Sequence, residues 1–301
     1  MDASDPLPAT ERADPRYREI DAWPPESALA ALFEAQLSAA AAVRAALPAI
    51  ESAVAASVER LRDGGRLIYA GAGTSGRVAA QDAVELAPTF DWPVERLLLL
   101  IAGGSTALTE SVENAEDDTA AARRDLAAHA VGPGDVAIGV AASGRTPFTC
   151  AVLQEAAARG ALTIALANSP ASPLLALATQ PILVQTGSEP IAGSTRLKAG
   201  TAQKIVLNLF STLLMLRLGR VHAGLMVDLR ATNAKLRARA LRMLRHLTGA
   251  ETAAAEVALA EAGGNVKTAV LLLRGLDPAA ARTLLAGHHG HLRAALAALP
   301  P

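Results

Sequence analysis

Between Arg66 and Val184 the sequence repeats one pattern, in which a short apolar run passes through a loop into a stretch with helical spacing. The runs are Leu67 to Ala70, Leu97 to Ile101, Val136 to Ala141, Leu162 to Ala167 and Ile182 to Val184. Each has strand length and is rich in aliphatic residues. Strands alternating with helices at this spacing predict an α/β fold: a doubly wound parallel five-stranded sheet with ligands beyond the carboxyl ends of its strands. Ahead of the sheet, Ser27 to Arg62 reads as helix interrupted at Pro48, after an arm with five prolines in about 25 residues. Beyond Gly219 no strand pattern recurs; Asp228 to Leu247, Thr252 to Glu261, Val266 to Leu273 and Pro278 to Leu285 read as helices. The expected division is an N-terminal arm and helices over 1–56, a sheet domain over 57–220 and a small all-helical C-terminal region over 221–301.

The loops carry the chemistry. Gly71-Ala72-Gly73-Thr74-Ser75-Gly76 follows the first strand, Gly103-Gly104-Ser105-Thr106 the second, and Ser143-Gly144-Arg145-Thr146-Pro147 the third. Glycines let a ligand approach the backbone, helix-opening amides point unpaired donors at it, and the hydroxyls add further donors. The first loop formally satisfies GxGxxG, but the second strand runs into Ala102-Gly103-Gly104 instead of the acid that a dinucleotide ribose requires. No Lys-Ser/Thr pair follows the glycines, so the Walker pattern fails as well. Three hydroxyl-bearing loops at one sheet edge, two with an arginine nearby, favour a compact phosphate on a polyhydroxylated ligand. A fourth such loop, Gly193-Ser194-Thr195-Arg196, introduces a long helix over about Leu197 to Leu218 that carries Lys198 and Lys204 on different faces.

Two groups of acids follow these loops. Asp82 and Glu85 lie on the helix after the first; Glu110, Glu113, Glu116, Asp117 and Asp118 fall in a stretch, Glu110 to Ala128, that reads as the next helix. Glu113 and Glu116 share a face there, so periodicity does not choose between them. Glu85 sits among Ala83, Val84, Leu86 and Ala87 before Pro88, where burial would raise its pKa into the range useful for proton transfer.

Composition bounds the rest. The net charge of −1 supplies no field for nucleic acid or an anionic membrane, and the single cysteine, Cys150, excludes an internal disulfide and a cysteine-based zinc site. Cys150 reads as a small buried residue, and His288, His289 and His291 lack the nearby acids or cysteines of a metal site. The acidic, proline-rich N-terminus has no apolar signal core, and no apolar run reaches the ~20 residues that span a bilayer. The expectation is a soluble cytoplasmic protein.

The segments RLIYAGAGTSGR, VAASGRTPF, GSTRLKAGTAQK and LMVDLRATNAKL resemble the N-acetylmuramic acid 6-phosphate etherase family, and the likeness extends from Thr10-Glu11-Arg12 to the terminal helices. The resemblance implies a sugar isomerase core over 57–220 and a ubiquitin-associated-like domain within 221–301. It also implies a cytoplasmic homodimer without metal or organic cofactor. The implied reaction breaks the D-lactyl ether at C3 by elimination and water addition, giving N-acetylglucosamine 6-phosphate and D-lactate. The family's acid falls on Glu85 and its second catalytic glutamate on Glu116. The substrate-binding positions implied by the matched loops are Gly73, Thr74, Ser75, Ser143, Gly144, Arg145, Thr146, Ser194, Thr195 and Lys198. Val84, Leu86 and Ala87 depart from the family's usual Ser, Cys and Pro, Asn114 stands for a frequent Gly, and Asp14 for Asn. A non-catalytic sugar-phosphate regulator, resembling the repeats of glucokinase regulatory protein, and an aldose-ketose isomerase are the competing classes.

Overall fold

The structure is a computed structural model and describes residues 7–229 and 233–300. All five strands form: β1 Leu67–Gly71, β2 Leu97–Ile101, β3 Val136–Ala141, β4 Leu162–Ala167 and β5 Gln180–Leu183. They pair in parallel in the order β2-β1-β3-β4-β5, with Leu67 opposite both Leu97 and Val136. In this order the winding reverses between β1 and β3, so the loops after those two strands flank the crevice where ligands of open α/β sheets bind. β3 and β4 are buried along their whole length, as strands covered on both faces must be.

The chain divides into two compact units, Met1–Ala83 with Glu95–Ser211 and Val84–Val94 with Thr212–Pro301. Val84–Val94, read as part of the sheet domain from sequence, thus groups with the C-terminal helices. The first unit holds the sheet. Its helices are α1 Pro25–Ala42, α2 Leu47–Arg62, most of α3 Gly73–Phe90, α4 Thr119–Ala127, α5 Pro147–Ala158, the single-turn α6 Pro173–Leu177, and the start of α7 Lys198–Arg217. Pro48 separates α1 from α2 by standing in the first turn of the latter, where its missing N–H costs nothing. Ile68, Leu100, Ala137, Phe148, Val152 and Leu153 belong to the sheet core, and half-buried Cys150 packs against it, where burial pushes its thiol pKa up. The arm is not simply extended: it makes one-turn 3-10 helices at Ala9–Glu11, Pro15–Tyr17 and Ile20–Ala22.

One expected helix is corrected. Glu110 to Ala128 is not continuous; 3-10 turns occupy Gly104–Leu108 and Ala115–Asp117, and α4 begins only at Thr119. Asn114 adopts the left-handed conformation at φ 56°, and the Asp118 carboxylate caps α4 by accepting from the Ala121 amide at 2.8 Å. Both features stop a helix from passing through. Glu113 and Glu116 therefore do not share a helical face.

At the amino end of the sheet Asp135 joins β1 to β3. It accepts from the Arg66 backbone amide at 3.0 Å, from the Arg66 guanidinium at 3.0 and 2.7 Å, and from the Gly132 amide at 3.0 Å. Burial pushes the Asp135 pKa up, but these donors outweigh it and hold the carboxyl below 3.8. A depressed folded-state pKa contributes stability above the unfolded value that is lost as pH falls through the folded one. The stability difference between wild type and Asp135→Asn, measured by denaturant unfolding, should therefore shrink as pH drops below 3.8. A difference that stays constant down to the acid limit would reject this account.

The second unit is built from α8 Ala234–Thr248, α9 Thr252–Glu261, α10 Val266–Leu272, α11 Pro278–Gly287 and α12 Leu292–Ala297, together with the ends of α3 and α7. Its core includes Val227, Met243, Leu244, Leu259, Val270 and Leu271. The helix expected from Asp228 starts at Ala234, capped by Asn233, and residues 230–232 of that expectation lie outside the described residues. The six-residue α12 was not expected from sequence. Pro25–Arg62 and Lys198–Arg217 have the length and mean hydropathy of membrane-crossing helices, but the first is broken at Val43–Ala46 and the most apolar window of the second is 56% buried.

Candidate active site

The loops after β1 and β3 open two helices at the β1/β3 crevice. α3 starts at Gly73, so Thr74 and Ser75 lie in its first turn, Ser75 buried and Thr74 half-buried. Gly76 makes this turn possible: a Cβ there would stand 2.9 Å from the Gly71 carbonyl oxygen, closer than a side chain tolerates. α5 starts at Pro147 behind Thr146, whose side chain makes no capping bond. Its first-turn amides, like those of α3, have no intrahelical acceptor and carry the positive end of the helix dipole. Two such helix starts beside one crevice offer backbone donors to an anion.

The β3 loop is held rigidly. The Gly144 carbonyl accepts from the Leu174 amide at 3.0 Å, its own amide donates to the Ala141 carbonyl at 3.1 Å, and the Ser143 hydroxyl accepts from the Arg145 amide at 3.2 Å. Gly144 has φ 64°, and a Cβ there would stand 2.2 Å from the Ser172 hydroxyl oxygen. Ser143 and Thr146 are half-buried and Arg145 is exposed.

α7 arrives next to the first loop. The Thr74 methyl lies 3.2 Å from where a Cβ on Gly200 would stand. Lys198 is 3% exposed and donates through Nζ to the Thr186 carbonyl at 2.7 Å. The first amides of α7, from Lys198 and Ala199, donate at 2.8 and 2.9 Å to the Glu189 carboxylate. An internal acid therefore already occupies the α7 amino terminus. Burial pushes the Glu189 pKa up, opposed by the two amides and Lys198; burial draws the Lys198 pKa down, opposed by Glu189. Sequence reasoning missed Glu189, whose only signal is an acid in the Gly-Ser-Glu-Pro loop shortly before the helix. Ser194 and Thr195 stand half-buried in the turn before α7, where their carbonyls accept from the Leu197 and Gly200 amides. The N-terminal arm is seated on this turn: the Gly193 amide donates to the Thr10 carbonyl at 3.1 Å, and the Glu11 carboxylate lies against Gly193.

The two glutamates stand on different supports. Glu116 is exposed on the 3-10 turn after β2, anchored by Ala115 against the sheet core. Arg77 of α3 fastens the same loop by donating to the Ala107 carbonyl at 2.9 Å and the Glu110 carbonyl at 2.8 Å. Glu85 belongs to the second unit. The burial expected around it is absent: Ala83 and Leu86 face inward, while Gln81, Val84, Glu85 and Pro88 form an exposed stripe on α3. The spacing of that stripe is helical, which puts the acid on the side opposite the apolar neighbours that flank it in sequence. The buried acid of α3 is Asp82, which accepts from the Tyr69 hydroxyl at 3.0 Å, the Asn208 amide at 2.7 Å and the Ser211 hydroxyl at 3.0 Å. Burial pushes its pKa up against these three donors.

A profile of the glucokinase regulatory protein N-terminal SIS domain matches residues 49–157, and an SIS domain profile matches residues 110–213. An N-acetylmuramic acid 6-phosphate etherase of Deinococcus radiodurans is 53% identical over 95% of this chain and 94% of its own. Relatives of the same name from Streptomyces avermitilis and Rubrobacter xylanophilus are each 47% identical, over 97% and 95% of this chain and 94% and 95% of theirs. Among solved structures, a phosphoheptose isomerase from Francisella tularensis aligns with 64% of this chain and 100% of its own, at 21% identity and a TM-score of 0.49.

Proposed function

The chain belongs to the N-acetylmuramic acid 6-phosphate etherase family, and from that membership we propose how its own residues carry out the reaction. The enzyme cleaves the D-lactyl ether of N-acetylmuramic acid 6-phosphate, giving N-acetylglucosamine 6-phosphate and D-lactate, a step of cell-wall amino sugar recycling. It is a carbon–oxygen lyase. The observation that carries the reading is near-full-length identity of 53% to an etherase, together with two helix starts at the sheet's crevice. The glucokinase regulatory protein profile, which bears on the competing regulator reading, spans residues 49–157, whereas the etherase likeness spans 95% of the chain.

In the proposed arrangement the C6 phosphate sits on the first-turn amides of α3 and α5, with the hydroxyls of Thr74, Ser75, Ser143 and Thr146 as further donors. Gly73 and Gly144 allow the close approach, and Arg145 and Lys198, with the Ser194-Thr195 turn, border the sugar. Ring opening exposes the C1 aldehyde, which acidifies the C2 proton. Glu116 takes that proton; the C3–oxygen bond breaks, and the lactyl oxygen receives a proton from Glu85. Water then adds its hydroxyl to C3 and a proton to C2 of the resulting unsaturated aldehyde. Glutamate carboxyls suit both transfers when their surroundings tune them, and neither transfer calls for a metal or organic cofactor.

An apolar stripe on α1 and an exposed valine beside Glu85 support a homodimer. Leu29, Phe33 and Leu37 are 69%, 61% and 54% exposed at successive turns of α1, and Val84 is 52% exposed beside Glu85. Covering these side chains with a second copy buries them and supplies the surroundings that Glu85 lacks in one chain. We assign the protein to the cytoplasm, without nucleic-acid or membrane partners, and read residues 221–301 as containing a ubiquitin-associated-like domain.

Lactate release from N-acetylmuramic acid 6-phosphate tests the reaction directly. Ser143→Ala and Thr74→Ala should each raise KM about tenfold, the worth of one hydrogen bond to a charged acceptor, about 1.5 kcal/mol. Unchanged KM in both variants would remove these loops from the phosphate site.

A further inference from the structure

α3 contains a proline, Pro88, one turn from its end. Proline has no N–H to give the carbonyl four residues back, and its ring crowds that carbonyl, here the one belonging to Val84. The hydrogen-bond ladder is thus broken in the very turn that carries Glu85. Past the break, Asp91 ends the helix at φ 52°, with its amide on the Ala87 carbonyl at 3.0 Å and the Trp92 amide on the Leu86 carbonyl at 3.3 Å. A turn that lacks one of its bonds in this way bends more easily, and a contact from outside the helix at its far end fixes its direction.

Arg220 does so. Its guanidinium donates to the Phe90 and Asp91 carbonyls, each at 2.9 Å, and lies over the Trp92 ring at 5.6 Å. Arg220 is in turn held by the Asp228 carboxylate at 3.4 Å, which also pairs with the Lys267 ammonium at 2.7 Å. Lys267 stands in α10 and donates a second bond, at 2.8 Å, to the Gly290 carbonyl before α12. Asp228 and Lys267 are both nearly fully buried, so each partner is needed to offset the desolvation of the others. All of these groups lie within the second unit.

We infer that Arg220, Asp228 and Lys267 are positioning residues for Glu85, and that the C-terminal helical domain serves the reaction by anchoring the broken end of α3. The inference rests on the assignment of Glu85 as the proton donor. It gives the helical domain a task on its own chain rather than on a separate partner.

The experiment measures lactate release by the full-length chain carrying Arg220→Gln, with and without Pro88→Ala. Arg220→Gln should lower kcat about 10- to 100-fold and leave KM within about twofold, because a displaced proton donor weakens the chemical step and not phosphate binding. Pro88→Ala returns the N–H that the Val84 carbonyl lacks, so in the Arg220→Gln background it should restore at least about half of the lost rate on a logarithmic scale. A full kcat in Arg220→Gln, a loss carried by KM, or no recovery on adding Pro88→Ala would each overturn the inference. If Arg220→Gln does not fold, the double variant Asp228→Asn/Lys267→Met, which removes both buried charges behind Arg220, is read in the same way. Glu85→Gln separates the two levels: full activity in that variant overturns the Glu85 assignment and this inference together. An inactive Glu85→Gln beside a fully active Arg220→Gln overturns only the inference.

Discussion

Glu85→Gln should release lactate about a thousandfold more slowly than the wild type while still exchanging the C2 proton of the substrate with D2O. The factor is that of one positioned proton-transfer group, typically about 10²–10⁴. Glutamine keeps the shape and polarity of the side chain but has no acidic proton to give the departing lactyl oxygen. Proton removal at C2 falls to Glu116 and continues. Glu116→Gln should lose exchange and lactate release together. The two variants therefore differ in one readout, deuterium at C2, that a general loss of fold would not separate. Exchange lost in Glu85→Gln and kept in Glu116→Gln would reverse the roles, and undiminished lactate release from Glu85→Gln would remove that residue from the mechanism.

Gly144→Ala should destabilise the protein by about 2–5 kcal/mol in denaturant unfolding and raise KM in whatever fraction stays folded. Two costs add. An alanine at φ 64° costs about 1–2 kcal/mol in the left-handed region. Its methyl group would also meet the Ser172 hydroxyl at 2.2 Å and the Ser172 Cβ at 2.5 Å, an overpacking worth about 1–3 kcal/mol. Relief of that clash shifts the β3 loop and strains the bond that holds the Gly144 carbonyl on the Leu174 amide. Gly144→Ala/Ser172→Ala removes the hydroxyl but not the backbone strain, so it should recover only part of the loss. Wild-type stability in Gly144→Ala would show that the loop moves freely and does not hold the phosphate donors in place.

The proposed site was legible in the sequence where a local rule fixes it. Gly76 and Gly144 are needed by the backbone itself, and Pro147 marks the start of α5, so the two loops proposed to hold the phosphate could be located to the residue. The β2 loop was misread because Thr119 to Ala127 has good helical spacing that extends without penalty back to Glu110. Asn114 in the left-handed conformation and the Asp118 cap, which decide the outcome, leave little trace in periodicity. Glu189 was missed for a different reason, since its partners are backbone amides that every residue carries.

Sequence alone determined the number of strands, their parallel pairing and the breaks at Pro48 and Gly219, because short aliphatic runs bounded by turn residues fit strands buried on both faces, and runs that alternate with helices return in parallel. The resemblance fixed which glutamates to consider. Only the tertiary structure decided which acids are buried: Asp82 faces Tyr69, Asn208 and Ser211, while Glu85, three residues on, is turned to the exposed side. Only it revealed that Arg220 bonds the end of α3 and is backed by Asp228, which pairs in turn with Lys267. Burial and ion pairing join residues far apart along the chain, and no local spacing encodes which of them will meet.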